Sequence, residues 1–204
     1  YTDDEAFVLS QINLSITKGS SVGIVGPTGS GKSTLIDLLM GLIEPTEGEI
    51  LVDGNKIKGE TLYAWQNTIA HVPQSIFLTD TSMAENIAFG VPLESINSER
   101  VKKSAQIAQI SNFIEESQEG YNTQVGERGV RLSGGQRQRI GIARSLYKDA
   151  KVLVFDEATS ALDNTTEGLV INAINKLEEA LTTFFIAHRL TTIRDCDVII
   201  ELDA

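Results

Sequence analysis

The hydrophobic pattern opens with a short apolar run, Ser21-Val22-Gly23-Ile24-Val25, that ends at a glycine-rich turn. Leu35, Ile36, Leu38, Leu39 and Leu42 follow at helical spacing, which predicts strand, loop and helix in that order. Gly41 is placed to close the helix, and Glu49 to Val52 with the Asp53-Gly54 pair read as a strand entering a tight turn. A further strand is expected over Ile69 to Val72. From about Thr81 to Tyr147 strand signals vanish, and stretches such as Val101, Ala105 and Ala108, with Phe113 and Ile114, read as helices. This predicts a helical lobe inserted into a sheet domain. Lys151 to Phe155 reads as a buried strand, Leu169, Ala173, Ile174 and Leu177 form a helical stripe, and Thr182 to Ile186 and Val198 to Glu201 supply two more strands. Strands alternating with helices indicate a mostly parallel, doubly wound α/β sheet.

Composition narrows the classes of partner. With 204 residues, 41% hydrophobic and 22% charged, the chain has room for one sizeable core or a core with a smaller lobe. No apolar run approaches the roughly 18 residues of a membrane span. The net charge of -11 opposes a sequence-independent grip on nucleic acid, which needs clustered Lys and Arg, so no nucleic-acid partner is expected. One cysteine, Cys196, forms no internal disulfide and suits a reducing compartment. The chain opens on Tyr1 without an initiator Met or a signal peptide, and it reads as a piece excised from a longer protein.

The chemistry begins at Gly26-Pro27-Thr28-Gly29-Ser30-Gly31-Lys32-Ser33-Thr34, which satisfies G-x-x-x-x-G-K-[ST] between a predicted strand and a predicted helix. Glycines let successive N–H groups converge on phosphates, the helix N-terminus adds a favourable dipole, and Lys32 places a point charge on the outer phosphates. Ser33 is positioned to ligate Mg2+. A glycine-rich turn matching by chance is the competing reading, and the loop alone serves kinases, GTPases and ATPases alike. Further on, Val152-Leu153-Val154-Phe155 delivers Asp156 and Glu157 to the C-terminal end of a strand. Asp156 would hold Mg2+, and Glu157 would orient and polarise the water that attacks the γ-phosphate.

Leu132-Ser133-Gly134-Gly135-Gln136 is not explained by a generic ATPase. LSGGQ is the signature of the ATP-binding cassette family, and the chain is identified as resembling the nucleotide-binding domain of that family's transporters. The resemblance extends over nearly the whole chain: Gln74 after Val72-Pro73, Ser160-Ala161-Leu162-Asp163 after the acids, and His188 after a strand. It implies a P-loop NTPase core with a mostly parallel sheet, an antiparallel β subdomain and an inserted α-helical subdomain. The core with its β subdomain would cover about 1–74 and 148–204, and the helical subdomain about 75–147. ATP and Mg2+ are the implied cofactors. Tyr1 resembles the aromatic that stacks on adenine, with Phe7 as the alternative. Gln74 resembles the glutamine that reaches Mg2+ and the attacking water, and His188 resembles the switch histidine on the γ-phosphate. Ser133, Gly134, Gly135 and Gln136 would face ATP held by the phosphate loop of a second copy, so that two ATP molecules are sandwiched in a homodimer, which Ser160 and Asp163 touch across the interface.

Two segments resemble the exporter branch. Thr123-Gln124-Val125-Gly126-Glu127-Arg128-Gly129 is similar to the stretch by which exporter cassettes sense the intracellular helices of their membrane domains, and Glu85-Asn86-Ile87-Ala88-Phe89-Gly90 matches the exporter pattern too. The stretch from Trp65-Gln66 through Ser75-Ile76-Phe77-Leu78 resembles bacterial transporters for lipid-linked oligosaccharides or polysaccharides. Transmembrane domains, fused or separate, are therefore implied partners, and the expected place is the cytoplasmic face of the inner membrane. The alternatives are a soluble cassette protein of DNA repair or translation, which would need a coiled-coil insertion or a second cassette, and a module that holds ATP without cleaving it.

Overall fold

The computed structural model describes residues 8–177, 181–186 and 189–203. Along the chain come β1 (Ser21–Val25), α1 (Lys32–Leu39), the hairpin strands β2 (Leu51–Val52) and β3 (Asn55–Lys56), α2 (Glu60–Thr68) and β4 (Ile69–Val72). Helices α3 (Met83–Ile87), α4 (Ser98–Ile107), α5 (Ser111–Glu115) and α6 (Gly134–Tyr147) follow. The chain then forms β5 (Val152–Asp156), α7 (Asn164–Asn175), β6 (Thr182–Ile186), α8 (Leu190–Ile193) and β7 (Val198–Glu201). Five strands make one sheet in the spatial order β4-β5-β6-β1-β7, and every pairing in it is parallel. The antiparallel part is the two-stranded hairpin, whose Asp53 (φ +50°) and Gly54 (φ +77°) are both left-handed, as a two-residue turn matched to strand twist requires. Its first strand is shorter than the expected Glu49 to Val52, because the ladder consists of two residue pairs, Leu51 with Lys56 and Val52 with Asn55.

Side-chain alternation in the strands feeds two cores. Val152 and Val154 join Val22, Ile24, Phe184 and Ile186 on one face, where Leu35 and Ile36 of α1 cover them. Leu153, Phe155 and Phe185 point to the other face and pack with Ile140 and Ile142 of α6 and Val170 and Ile174 of α7. The Phe155 and Phe185 rings stack with centroids 5.0 Å apart. This second core runs without a break into the helical lobe through Ile87, Val101, Ala105 and Ile114. Each fully buried Ile, Leu, Val or Phe here contributes about 1.5–3 kcal/mol, so α6 is fixed to the back of the sheet by packing rather than by its connections.

Three local departures from the sequence pattern have physical reasons. Helix α2 leaves no signal because it buries no residue fully; it is held by Trp65 packing on the core with its indole N–H donating to the Leu39 carbonyl at 2.7 Å, and by the Gln66 amide donating to the Gly41 carbonyl at 3.0 Å. Leu42 lies beyond α1, which ends at the left-handed Gly41 (φ +68°), and is 61% exposed. In α7 the buried positions are Glu167, Val170 and Ile174, and Leu169 of the expected stripe is half-exposed. The helix is rotated because Glu167 finds polar partners inside, described below.

In the lobe, Ser82 and Glu85 form a reciprocal capping box at the start of α3. Asn86 is fully buried and accepts from the Thr79 N–H at 3.0 Å, and Arg144 of α6 donates to the Asn86 carbonyl at 2.9 Å and to the Phe77 carbonyl at 3.0 Å. The Arg144 guanidinium stands 4.5 Å over the Phe89 ring, and burial pulls its pKa down to about 10. The Glu85 to Gly90 segment is thus built from a cap, a buried amide and a cation platform.

Candidate functional site

Sheet register decides what meets at the C-terminal edge, where ligands of open α/β sheets collect. Val72, Phe155, Phe185 and Gly23 stand in one row, and Asp156, Ile186 and Ile24 in the next. Neighbouring strands lie about 4.8 Å apart, so the chain entering the phosphate loop and the chain entering the acids emerge about 10 Å from each other on either side of β6. Gln74 lies two residues past Val72, level with Glu157 two residues past Phe155. Its Nε2 donates to Glu157 Oε2 at 2.7 Å.

The phosphate loop is shaped by its glycines. Gly26 (φ +153°), Gly29 (φ +88°) and Gly31 (φ +88°) hold backbone conformations that other residues rarely adopt, and a Cβ on Gly26 would lie 2.5 Å from the Leu202 carbonyl oxygen. The first intrahelical bond of α1 runs from the Leu35 N–H to the Gly31 carbonyl at 2.8 Å, which leaves the N–H groups of Lys32, Ser33 and Thr34 at the positive end of the helix. No side chain caps that end and no acid lies in its first turn. Lys32 is buried, and its ammonium donates to the carbonyls of Gly26 and Pro27, both at 2.8 Å, which curls the loop around the charge. Ser30 Oγ is buried inside the same loop and makes no hydrogen bond. A convergent, positively poled cradle with an orphaned hydroxyl fits a polyphosphate.

Asp156 ends β5 half-buried, and desolvation raises its carboxyl above the ordinary range; His71 opposes the shift, and Glu157 and Asp37 add to it. Partial burial of the His71 ring lowers its pKa, with Asp156 and Asp37 pulling the other way. Glu157 is a non-glycine residue in the left-handed region (φ +51°), a sparsely populated conformation that concentrates at functional sites. Its N–H donates to the Ile186 carbonyl and its own carbonyl accepts from the Ser160 N–H, each at 3.0 Å. The Ser33 hydroxyl, the Gln74 amide oxygen and the Asp156 carboxylate are hard oxygen donors of the kind that suits Mg2+. Among the described residues no three His, Cys, Asp or Glu side chains form a metal cage of their own.

The Leu132 to Gln136 signature has a different construction. Ser133 caps α6 by accepting from the Gln136 N–H at 3.2 Å, and Gln136 Oε1 accepts from the Ser133 N–H at 2.7 Å. Gly134 and Gly135 lie against Ala161, and a Cβ on Gly135 would come 3.1 Å from the Ala161 carbonyl oxygen. Among the described residues no hydrogen bond joins Ser133–Gln136 to the phosphate loop. Asp163 caps α7, and the N–H and hydroxyl of Thr166 hold its carboxyl below the ordinary range. Tyr1, its alternative Phe7, and His188 lie outside the described residues.

A buried polar hub that no sequence motif marks stands beside the acids. Glu167 is 2% exposed and accepts from Thr159 Oγ at 2.7 Å, from Thr192 Oγ and from Arg189 at 3.2 Å. Arg189 also donates to the carbonyls of Leu162 at 3.0 Å and Ser160 at 3.1 Å. From the other side Gln138 of α6, almost fully buried, accepts from the Ala161 N–H at 2.9 Å and donates to Ser160 Oγ at 3.3 Å. A glutamate inside an otherwise apolar helical stripe was the available signal. On another face, an open groove of about 650 Å³ is lined by Ser75, Ile76, Phe77, Glu127, Arg128, Val130 and Arg137. Phe77 is 59% exposed and Val130 75% exposed. The groove thus joins the segment after Gln74 to the Glu127-Arg128 segment.

The sequence pattern of the ABC transporter family matches residues 9–160. The chain is 47% identical over 195 residues to the beta-(1→2)glucan export ATP-binding/permease protein NdvA of Agrobacterium vitis, covering 96% of this chain and 33% of that protein. It is 47% identical over 204 residues to the ATP-dependent lipid A-core flippase of Alkalilimnicola ehrlichii, covering 100% of this chain and 34% of that one. Among solved structures, a bacterial Atm1-family ABC exporter with ATP bound superposes with a TM-score of 0.91 at 41% identity, over 100% of this chain and 35% of that chain. The chain therefore spans about a third of the length of these relatives.

Proposed function

The chain belongs to the ABC transporter family as an ATP-binding, ATP-hydrolysing domain of exporter type, and on that premise we propose that its hydrolysis drives a substrate outward, or from one leaflet to the other, through transmembrane domains outside this sequence. The observation that carries the reading is the Gln74 to Glu157 hydrogen bond of 2.7 Å at the sheet edge that also launches the phosphate loop. The loop N–H groups and Lys32 hold the outer phosphates. Ser33, Gln74 and Asp156 would hold Mg2+, which when bound neutralises charge on the phosphate oxygens. Glu157 orients the attacking water and draws on its proton as the water oxygen bonds to the γ-phosphorus and the bond to the ADP oxygen breaks. Gln74 fixes the rotamer of that carboxylate through Oε2. His188 contacts the γ-phosphate, and Tyr1 stacks on adenine.

In this reading Ser133, Gly134, Gly135 and Gln136 close over ATP bound to a second copy, and Ser160 and Asp163 meet that copy across the dimer. The polar consumption of Ser133 and Gln136 in their own cap supports this, since it presents a rigid, glycine-faced helix start to an incoming anion. The groove between Phe77 and Glu127-Arg128 takes an intracellular helix of the transmembrane domains. Its exposed apolar residues, rimmed by charge, have the makeup of a docking surface. No helix among the described residues is long and apolar enough to cross a membrane. The domain sits at the cytoplasmic face of the membrane through its partners. The glucan-export and lipid A-core relatives support a carbohydrate-bearing cargo, a polysaccharide or a glycolipid.

Glu157→Gln tests the assignment. Phosphate release falls by about 10²- to 10⁴-fold, ATP affinity stays within a few-fold, and light scattering with Mg-ATP detects a dimer. Unchanged phosphate release with ATP binding intact would overturn the role of Glu157, and a persistent monomer would overturn the sandwich.

A further inference from the structure

We propose that buried Glu167 and half-buried Arg189 form a clamp that positions Glu157 for hydrolysis and sets turnover without contributing to nucleotide affinity. The inference rests on the hydrolysis reading above. The loop from Glu157 to Asp163 begins with a left-handed non-glycine residue, and such a conformation persists only where the surroundings over-determine it. Within the loop, the Ser160 N–H to Glu157 carbonyl and Leu162 N–H to Thr159 carbonyl bonds make tight turns but leave the Ser160 and Leu162 carbonyls pointing away. The planar guanidinium of Arg189 takes both of these carbonyls, at 3.1 and 3.0 Å.

A fork that must meet two carbonyls needs its own orientation fixed, and Glu167 does this from inside the molecule. The same carboxylate accepts from Thr159, two residues after Glu157, and from Thr192, three residues after Arg189. One buried charge therefore ties the start of the acid loop, its far end and the segment that leaves β6. Arg189 is also the residue next to His188 in sequence. Gln138 holds the opposite side of the loop at Ser160 and Ala161, so movement of the Arg189 side is resisted from the signature helix. An apolar residue at 167 would fill the same volume, and a carboxylate that is 2% exposed is costly unless it is fully partnered. Its function is orientation. Neither side chain makes a hydrogen bond to the phosphate loop among the described residues, which separates the clamp from binding.

The experiment is steady-state ATP hydrolysis by the full chain across ATP concentrations, with ATP affinity measured separately by equilibrium binding. Variants are Glu167→Gln, which keeps the shape and removes the charge, and Arg189→Lys, which keeps the charge and removes the fork. Arg189 has a side chain that is 40% exposed, so its substitution leaves the core intact. In both variants kcat falls about 10- to 100-fold, the loss expected for a displaced catalytic group, while KM and the ATP dissociation constant stay within about twofold. Restoring the fork, with Arg189 intact and Glu167→Asp, returns part of kcat. Unchanged kcat in Arg189→Lys, or a parallel loss of ATP affinity, overturns the clamp. If Glu157→Gln abolishes turnover and Arg189→Lys does not, the clamp fails alone; if neither changes it, the hydrolysis reading fails with it.

Discussion

Two glycine-rich helix starts face different tasks in this chain. The loop before α1 carries glycines at positive φ, with no side chain capping the helix, so its backbone N–H groups converge on an open site. The start of α6 is a regular capping box in which Gly134 and Gly135 are ordinary helical residues. There glycine supplies closeness, since the Ala161 carbonyl would stand 3.1 Å from a Cβ at Gly135. One site needs glycine for its backbone angles, the other for its missing side chain. The first makes an open cradle of N–H groups; the second makes a flat, rigid helix end, which the proposed sandwich assigns to ATP on a second copy.

Substitution by alanine separates these uses. Gly31→Ala has the largest expected effect: it forces φ +88° on a residue with a Cβ that would meet Leu9 Cδ2 at 2.8 Å. The cost is about 1–3 kcal/mol of stability, read as a lowered melting temperature, together with loss of ATP binding. Full retention of both would remove conformational necessity from the loop. Gly135→Ala comes next in stability terms. A better helix former gains up to about 1 kcal/mol, which offsets the shift of Ala161, so the melting temperature stays close to that of the parent. ATP-dependent dimerisation and turnover are lost, and a variant that still dimerises would show that closeness at Gly135 is structural only.

The start of α7 gives the smallest effect and a control. Asp163 caps this helix, and its folded pKa is depressed below the usual 3.8 by hydrogen bonds from Thr166. A depressed carboxylate contributes stability that is full above the unfolded pKa and is lost as pH falls through the folded value. Asp163→Asn, an equally good cap, keeps stability at neutral pH and flattens its decline below about pH 4. A parent and variant with identical acid profiles would show that the Thr166 bonds do not discriminate the charged form.

Much of this was legible because it is local. The strands Ile69–Val72, Thr182–Ile186 and Val198–Glu201 appear at their expected residues, and Gly41 ends α1 as its placement implied. The face of α7 was not legible, because Leu169 reads as core until the partners of Glu167 are known. Helix α2 was silent for the opposite reason, since it has no fully buried face to leave a pattern.

The phosphate loop, the position of Asp156 and Glu157 at a strand end, and the signature at a helix start are written in contiguous residues, because each depends on the backbone preferences of glycine and of capping side chains. Only folding brings Gln74 to Glu157 across 83 positions, sets Gly135 against Ala161, and closes Glu167 and Arg189 behind the acid loop. Those contacts follow from strand register and from buried polar groups finding partners far away in the chain; local periodicity can flag a glutamate in an apolar stripe but names none of its partners.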